Sequence, residues 1–118
     1  MKVLLAINDR DLLFVLQRLV QMKNIYADSS FDGIQALTNI SQINYDLVVV
    51  DDKITLLPSD KVLSFCHEKG VKTLLLRSRH DDALQSDMDL YYPFVYDEFY
   101  ETLDKLLYTE QSKEGENV

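Results

Sequence analysis

Residues 45–52 read YDLVVVDD, and this octet decides the fold. Leu47, Val48, Val49 and Val50 form an unbroken apolar run, and the three valines are β-branched. An exposed strand would alternate apolar with polar residues, whereas a strand covered by helices on both faces reads as a continuous apolar run. Asp51 and Asp52 close the run with charge. Covered strands of this kind occur in parallel sheets, whose crossovers need helices, so alternating strands and helices are expected on either side.

Upstream, residues 2–7 form a second continuous apolar strand. Asp9 and Asp11 can cap the helix that follows, in which Leu12, Leu16, Leu19 and Val20 recur at helical spacing through Met22. Residues 24–27 read as a weak strand, and Ser29 with Asp32 match the spacing of a capping box ahead of Ile34, Leu37 and Ile40, in a helix ending near Ile43. Downstream, Ser59 or Asp60 can cap a helix through Val62, Leu63 and Cys66 that stops at Gly70. Residues 71–76 give a fourth strand and residues 90–92 a short fifth. Tyr96, Phe99, Tyr100, Leu103, Leu106 and Leu107 then mark one stripe of a final helix. The reading is an α/β domain over residues 1–108, a doubly wound parallel sheet of five strands, with a polar tail at 109–118 expected to be disordered.

Composition excludes several function classes. At 118 residues the chain suits one hydrophobic core, and 47% hydrophobic content is enough to form it. Twelve Lys and Arg against twenty Asp and Glu give a net charge of −8, so nucleic acid and anionic membranes are not expected partners. The apolar run near the N-terminus is too short for a signal peptide or a membrane span, so a cytoplasmic location is expected. Cys66 is the only cysteine, which precludes a disulfide or a multi-Cys metal cage within the chain. His67 and His80 lack metal-ligand spacing and receive no role. Phosphate-loop, dinucleotide-binding, zinc-protease and nucleophile-elbow motifs are all absent, and the three glycines could not build a phosphate loop.

In open parallel sheets the functional edge lies at the carboxyl ends of the strands, which directs attention to Asn8, Asp9, Asp51, Asp52, Ser78 and Tyr92. The segments KVLLAIND (residues 2–9), FDGIQAL (31–37), YDLVVVDD (45–52), LLLRSRHDD (74–82) and YYPF (91–94) together resemble, in order and approximate spacing, the receiver domain of bacterial response regulators. The resemblance spans nearly the whole chain and implies a flavodoxin-like sheet in the order 2-1-3-4-5. It also implies that Asp51 accepts a phosphoryl group from a histidine kinase, and that Ser78 hydrogen-bonds that group.

The departures from the family are as informative as the matches. The paired acids that receivers carry after strand one, where they help hold Mg²⁺, align with Ile7 and Asn8, followed by Asp9. A hard cation needs oxygen ligands, so Asn8, Asp9 and Asp51 are the candidate metal ligands and weak magnesium binding is expected. The lysine that receivers place before a proline is replaced by Tyr92, which offers one neutral hydrogen bond and no positive charge. Only thirteen residues separate Ser78 from Tyr92, too few for a full helix with two connections, so the helix between strands four and five is expected to be shortened or missing. The family's switching aromatic falls on Asp89, or on Tyr91 after a small shift in register.

A plainer use exists for each residue: Asp51 as a strand-end turn former, Asn8 and Asp9 as a helix N-cap, Ser78 as loop chemistry. Among the aromatics, Tyr96, Phe99 and Tyr100 have core spacing, leaving Tyr91 and Tyr92 as candidates for a partner surface. The expected function is therefore a stand-alone, atypical receiver-like module of a two-component phosphorelay. It works by protein–protein interaction with a kinase, a downstream signalling protein or itself, with phosphorylation absent or inefficient, and it is no enzyme beyond self-phosphorylation on Asp51. The competing expectations are a working magnesium-dependent phosphoacceptor and a structural dimerisation unit. No output domain is recognisable, so any effect is expected to pass through a separate partner.

Overall fold

The computed structural model describes residues 1–116, with side chains through Tyr108. Its elements alternate as β1 (Lys2–Ala6), α1 (Arg10–Gln21), β2 (Tyr26–Ser30), α2 (Gly33–Gln42), β3 (Leu47–Asp51), α3 (Ser59–Lys69), β4 (Lys72–Arg77), β5 (Met88–Tyr91) and α4 (Tyr96–Glu116). The five strands form one sheet in the order β2-β1-β3-β4-β5, and every neighbouring pair is parallel, as expected from sequence.

The continuous apolar runs explain why β1 and β3 are central. Side chains alternate across a strand, so each run supplies both faces at once. Val3, Leu5, Leu47, Val49, Leu74 and Leu76 face the side packed by α1 and α4, with Leu16, Val20, Phe99 and Leu103. Leu4, Ala6, Val48, Val50 and Leu75 face the opposite side, packed by α2 and α3 through Ile40, Val62, Leu63 and Cys66. Enclosure in that second core pushes the Cys66 thiol up to about 12, with the Asp87 charge adding to the effect, so this cysteine behaves as a buried apolar residue.

Several boundaries differ from the sequence expectation, each for a local reason. Strand β2 runs on to Ser30, so Ser29 pairs with Leu5 in the sheet and does not cap a helix. The cap of α2 is Asp32, which accepts the Gln35 N–H at 2.7 Å while the Gln35 side chain accepts the Phe31 N–H at 2.8 Å. Neither Ser59 nor Asp60 caps α3; Pro58 holds the cap position without a side-chain hydrogen bond. Gly70 does end α3, in the left-handed conformation at φ 73° that a side chain would disfavour. Of the aromatics given core spacing, Phe99 is buried and Tyr100 half-buried, but Tyr96 is exposed.

The connection from β4 to β5, residues 78–87, contains turns and no helix, which agrees with its short length. Helix α4 continues to Glu116, past the expected domain end at residue 108; residues 117–118 of the expected polar tail lie outside the described residues. Among the described residues, no helix is long and apolar enough to cross a membrane.

Candidate functional site

Parallel strands deliver all their carboxyl ends to one rim of the sheet, and that rim collects Asn8, Asp51, Ser78 and Tyr92 from the ends of β1, β3, β4 and β5. Asp51 is the best enclosed, at 3% exposure, an unusual setting for a carboxylate. The Asn8 N–H lies 3.4 Å from one of its oxygens, and the Lys53 N–H donates to the other at 3.1 Å. Burial holds the carboxyl above the usual carboxylate range; the N–H groups of Lys53 and Asn8 oppose that shift, and the adjacent charge of Asp52 reinforces it.

Tyr92 occupies the other side of this pocket. Its ring packs against Phe94, with centroids 5.4 Å apart, and against the core under α1 and α4. Its hydroxyl is enclosed without a properly aligned hydrogen-bond partner, yet close enough to Asp51 to be polarised by it. Burial, with the charges of Asp51 and Asp52, keeps the phenol neutral far above the usual tyrosine range. Tyr92 therefore turns inward, contrary to its expected place beside Tyr91 on a partner surface; Tyr91 itself is exposed at 44%.

The remaining predicted residues do not converge on Asp51. The Asp9 carboxylate caps α1, accepting the N–H groups of Asp11 at 2.9 Å and Leu12 at 3.2 Å. The Asn8 side-chain oxygen accepts from the Thr55 hydroxyl at 3.5 Å. Ser78 is bound by Asp52: its N–H donates at 2.7 Å and its hydroxyl at 3.0 Å. Consecutive strand residues point to opposite faces, so Asp51 turns toward the α1 and α4 side while Asp52 takes the α3 side and captures Ser78.

Arg77 escaped the sequence reading, and so did the role of Asp52. Asp52 was visible as the second half of an acidic pair, but its partner stands 26 positions away. Arg77, at the end of β4, is 4% exposed. Its guanidinium donates to the carbonyls of Asp81 at 3.0 Å and Leu84 at 2.8 Å, and its Nε stands 3.1 Å from the Asp89 carboxylate as an ion pair outside hydrogen-bond alignment. Arg77 thus holds together the helix-free connection. His80 lies at the surface between the Tyr91 hydroxyl, at 3.2 Å, and Asp82, at 2.7 Å.

These residues do not fit a magnesium ion as they stand. Mg²⁺ asks for oxygen donors in a near-octahedral shell. One Asp9 carboxylate oxygen and the Asn8 side-chain oxygen accept from other donors, and no cluster of three acidic, histidine or cysteine side chains able to hold a metal exists among the described residues.

A parallel sheet in the order 2-1-3-4-5 defines the flavodoxin-like class of doubly wound folds, and here its central strand ends in a buried carboxylate. Solved receiver domains share this architecture across the chain. The receiver domain of the Francisella response regulator 1452 is 24% identical with a TM-score of 0.82, covering 92% of this chain and 98% of that one. Response regulator TrrA of Thermotoga maritima, solved with Mg²⁺ and BeF, gives 24% and 0.82, over 90% and 98% of the two chains. The receiver domain of the Pseudomonas aeruginosa sensor histidine kinase PA1611, with a magnesium ion coordinated in its active-site cleft, gives 16% and 0.82, over 90% and 96%. The chain therefore has the receiver fold. No protein-family model matches the sequence, and no curated protein matches it.

Proposed function

We propose that this protein is an atypical receiver-like module of two-component signalling, one that acts by docking to another protein and in which phosphorylation of Asp51 is absent or inefficient. The observation that carries this reading is the environment of Asp51: a buried carboxylate faced by a neutral tyrosine, with Ser78 committed to Asp52. Phosphoryl transfer to a carboxylate concentrates negative charge on the transferred oxygens, which a cation must offset. Tyr92 supplies none, and one oxygen of Asp9 is taken by the cap of α1.

The competing reading is a magnesium-dependent phosphoacceptor at Asp51, favoured by the position of that residue at the end of β3 and by the magnesium-bound structures of TrrA and PA1611. Titration with Mg²⁺ separates the two. In the atypical reading, backbone amide resonances of Asn8, Asp51 and Lys53 stay in place at millimolar Mg²⁺; saturable shifts centred on Asp51 would favour the phosphoacceptor.

A further inference from the structure

Each of β1, β2 and β3 is followed by a helix, but the connection after β4 supplies none, and on the α3 side this leaves the covering layer incomplete. A groove of about 550 Å³ results, walled by α3 through Leu63 and His67 and by the connection through Ala83 and Asp87, with Val71 and Thr73 at its base. It shares Asp60 and Ala83 with a second hollow of about 310 Å³ that extends along Pro58 and Ser59 to Asp52. The two make one trench running from the C-terminal end of α3 to the functional rim.

The trench is acidic. Asp60, Glu68 and Asp87 line the larger part, and Asp52 and Asp81 the smaller. Arg79, at the rim end, is its one lysine or arginine among the described residues; Lys61 and Lys69 of α3 do not line it. Leu63, Val71, Ala83 and Leu84 add apolar surface between these acids. Acidic walls over an apolar base complement a helix with apolar and basic faces.

We propose that this trench is the docking groove for a basic amphipathic helix of a partner protein, which completes in trans the layer the chain leaves open. The inference rests on the docking reading above and names its surface. Charge decides the occupant. The chain's own residues 109–118 carry Glu110, Glu114 and Glu116 against Lys113, and a second copy carries a net charge of −8, so both are repelled where a basic helix is attracted. A cation at the rim end of the trench would meet Asp52 and compete with Ser78 for its carboxylate, so docking and the state of the rim are coupled.

The test uses the full chain and a labelled 18-residue peptide with Leu and Lys at helical spacing, followed by fluorescence anisotropy at physiological salt. Saturable binding is expected, with amide shifts at His67, Asp87 and Asp52. Reversing two exposed trench charges in Asp60→Lys/Glu68→Lys should weaken binding by about tenfold or more, while Asp11→Lys/Glu101→Lys on the opposite side should leave it within about twofold. Glu68→Gln alone, a minimal surface change, should weaken binding by about threefold. The inference is overturned if the peptide does not saturate, if both reversals weaken it equally, if a Leu/Glu peptide binds as well, or if light scattering shows a second copy in the trench. Failure here leaves the phosphorylation reading standing; ready phosphorylation of Asp51 would remove that reading, while saturable peptide binding by the unphosphorylated chain would still support the groove.

Discussion

Ser78 gives both its backbone N–H, at 2.7 Å, and its hydroxyl, at 3.0 Å, to the carboxylate of Asp52, the neighbour of the residue it was expected to serve. The pairing ties the end of β4 to the end of β3. Because both partners are partly solvated, Ser78→Ala should cost only about 1 kcal/mol in urea unfolding. The loss should vanish in an Asp52→Ala background and persist in Asp51→Asn. Coupling to residue 51 instead would place the hydroxyl in the other pocket.

Asp51 makes folding depend on pH. Its folded-state pKa is raised above the unfolded value by burial, so the folded state binds the proton more tightly. This contribution is fully present below the unfolded carboxylate value of about 4 and is lost as pH rises through the raised folded value. Asp51→Asn should therefore raise stability at pH 7, with the gain shrinking as pH falls toward about 4. Thermal melts across that range check it, and a variant less stable than wild type at pH 7 would contradict it.

The enclosed hydroxyl of Tyr92 lacks an aligned partner. A buried unsatisfied donor costs about 1–3 kcal/mol, so Tyr92→Phe should leave the protein as stable or more stable. A loss above about 1 kcal/mol in chemical unfolding would show that the hydroxyl donates to Asp51 in solution.

Arg77 is the staple of the helix-free connection. Truncation to Ala removes two donors to loop carbonyls, while exposed Asp89 keeps the Ser86 hydroxyl, so a cost of about 2 kcal/mol is expected. Hydrogen exchange should show residues 79–87 opening first while β1 and β3 stay protected. Arg77→Lys should recover little, since a single ammonium cannot reproduce the fork that spans Asp81 and Leu84.

The architecture was readable because its central strands are covered on both faces: KVLLA and LVVVD leave little room for another assignment. The edge strand β2, YADSS, ends in three polar residues, so it read as a weak strand stopping at Ala27 and Ser29 read as a helix cap. The short β4–β5 connection was legible from residue count alone. The rim was harder. Asp51 follows from its place at a strand end, but which side chains face it depends on rotations after each strand stops, and periodicity ends there. Arg77 reads as a surface charge; the loop carbonyls that receive its guanidinium and the Asp89 carboxylate beside it make its burial tolerable. Tyr92 follows directly after β5, where nothing in the sequence distinguishes inward from outward.

The most direct measurement incubates the full chain with Mg²⁺ and a small-molecule phosphodonor and follows intact mass, with Asp51→Asn as control. The unmodified mass should persist in both proteins. Rapid, near-complete gain of one phosphoryl group by the wild type, absent from the control, would contradict the account of Asp51 as a residue withdrawn from phosphoryl chemistry.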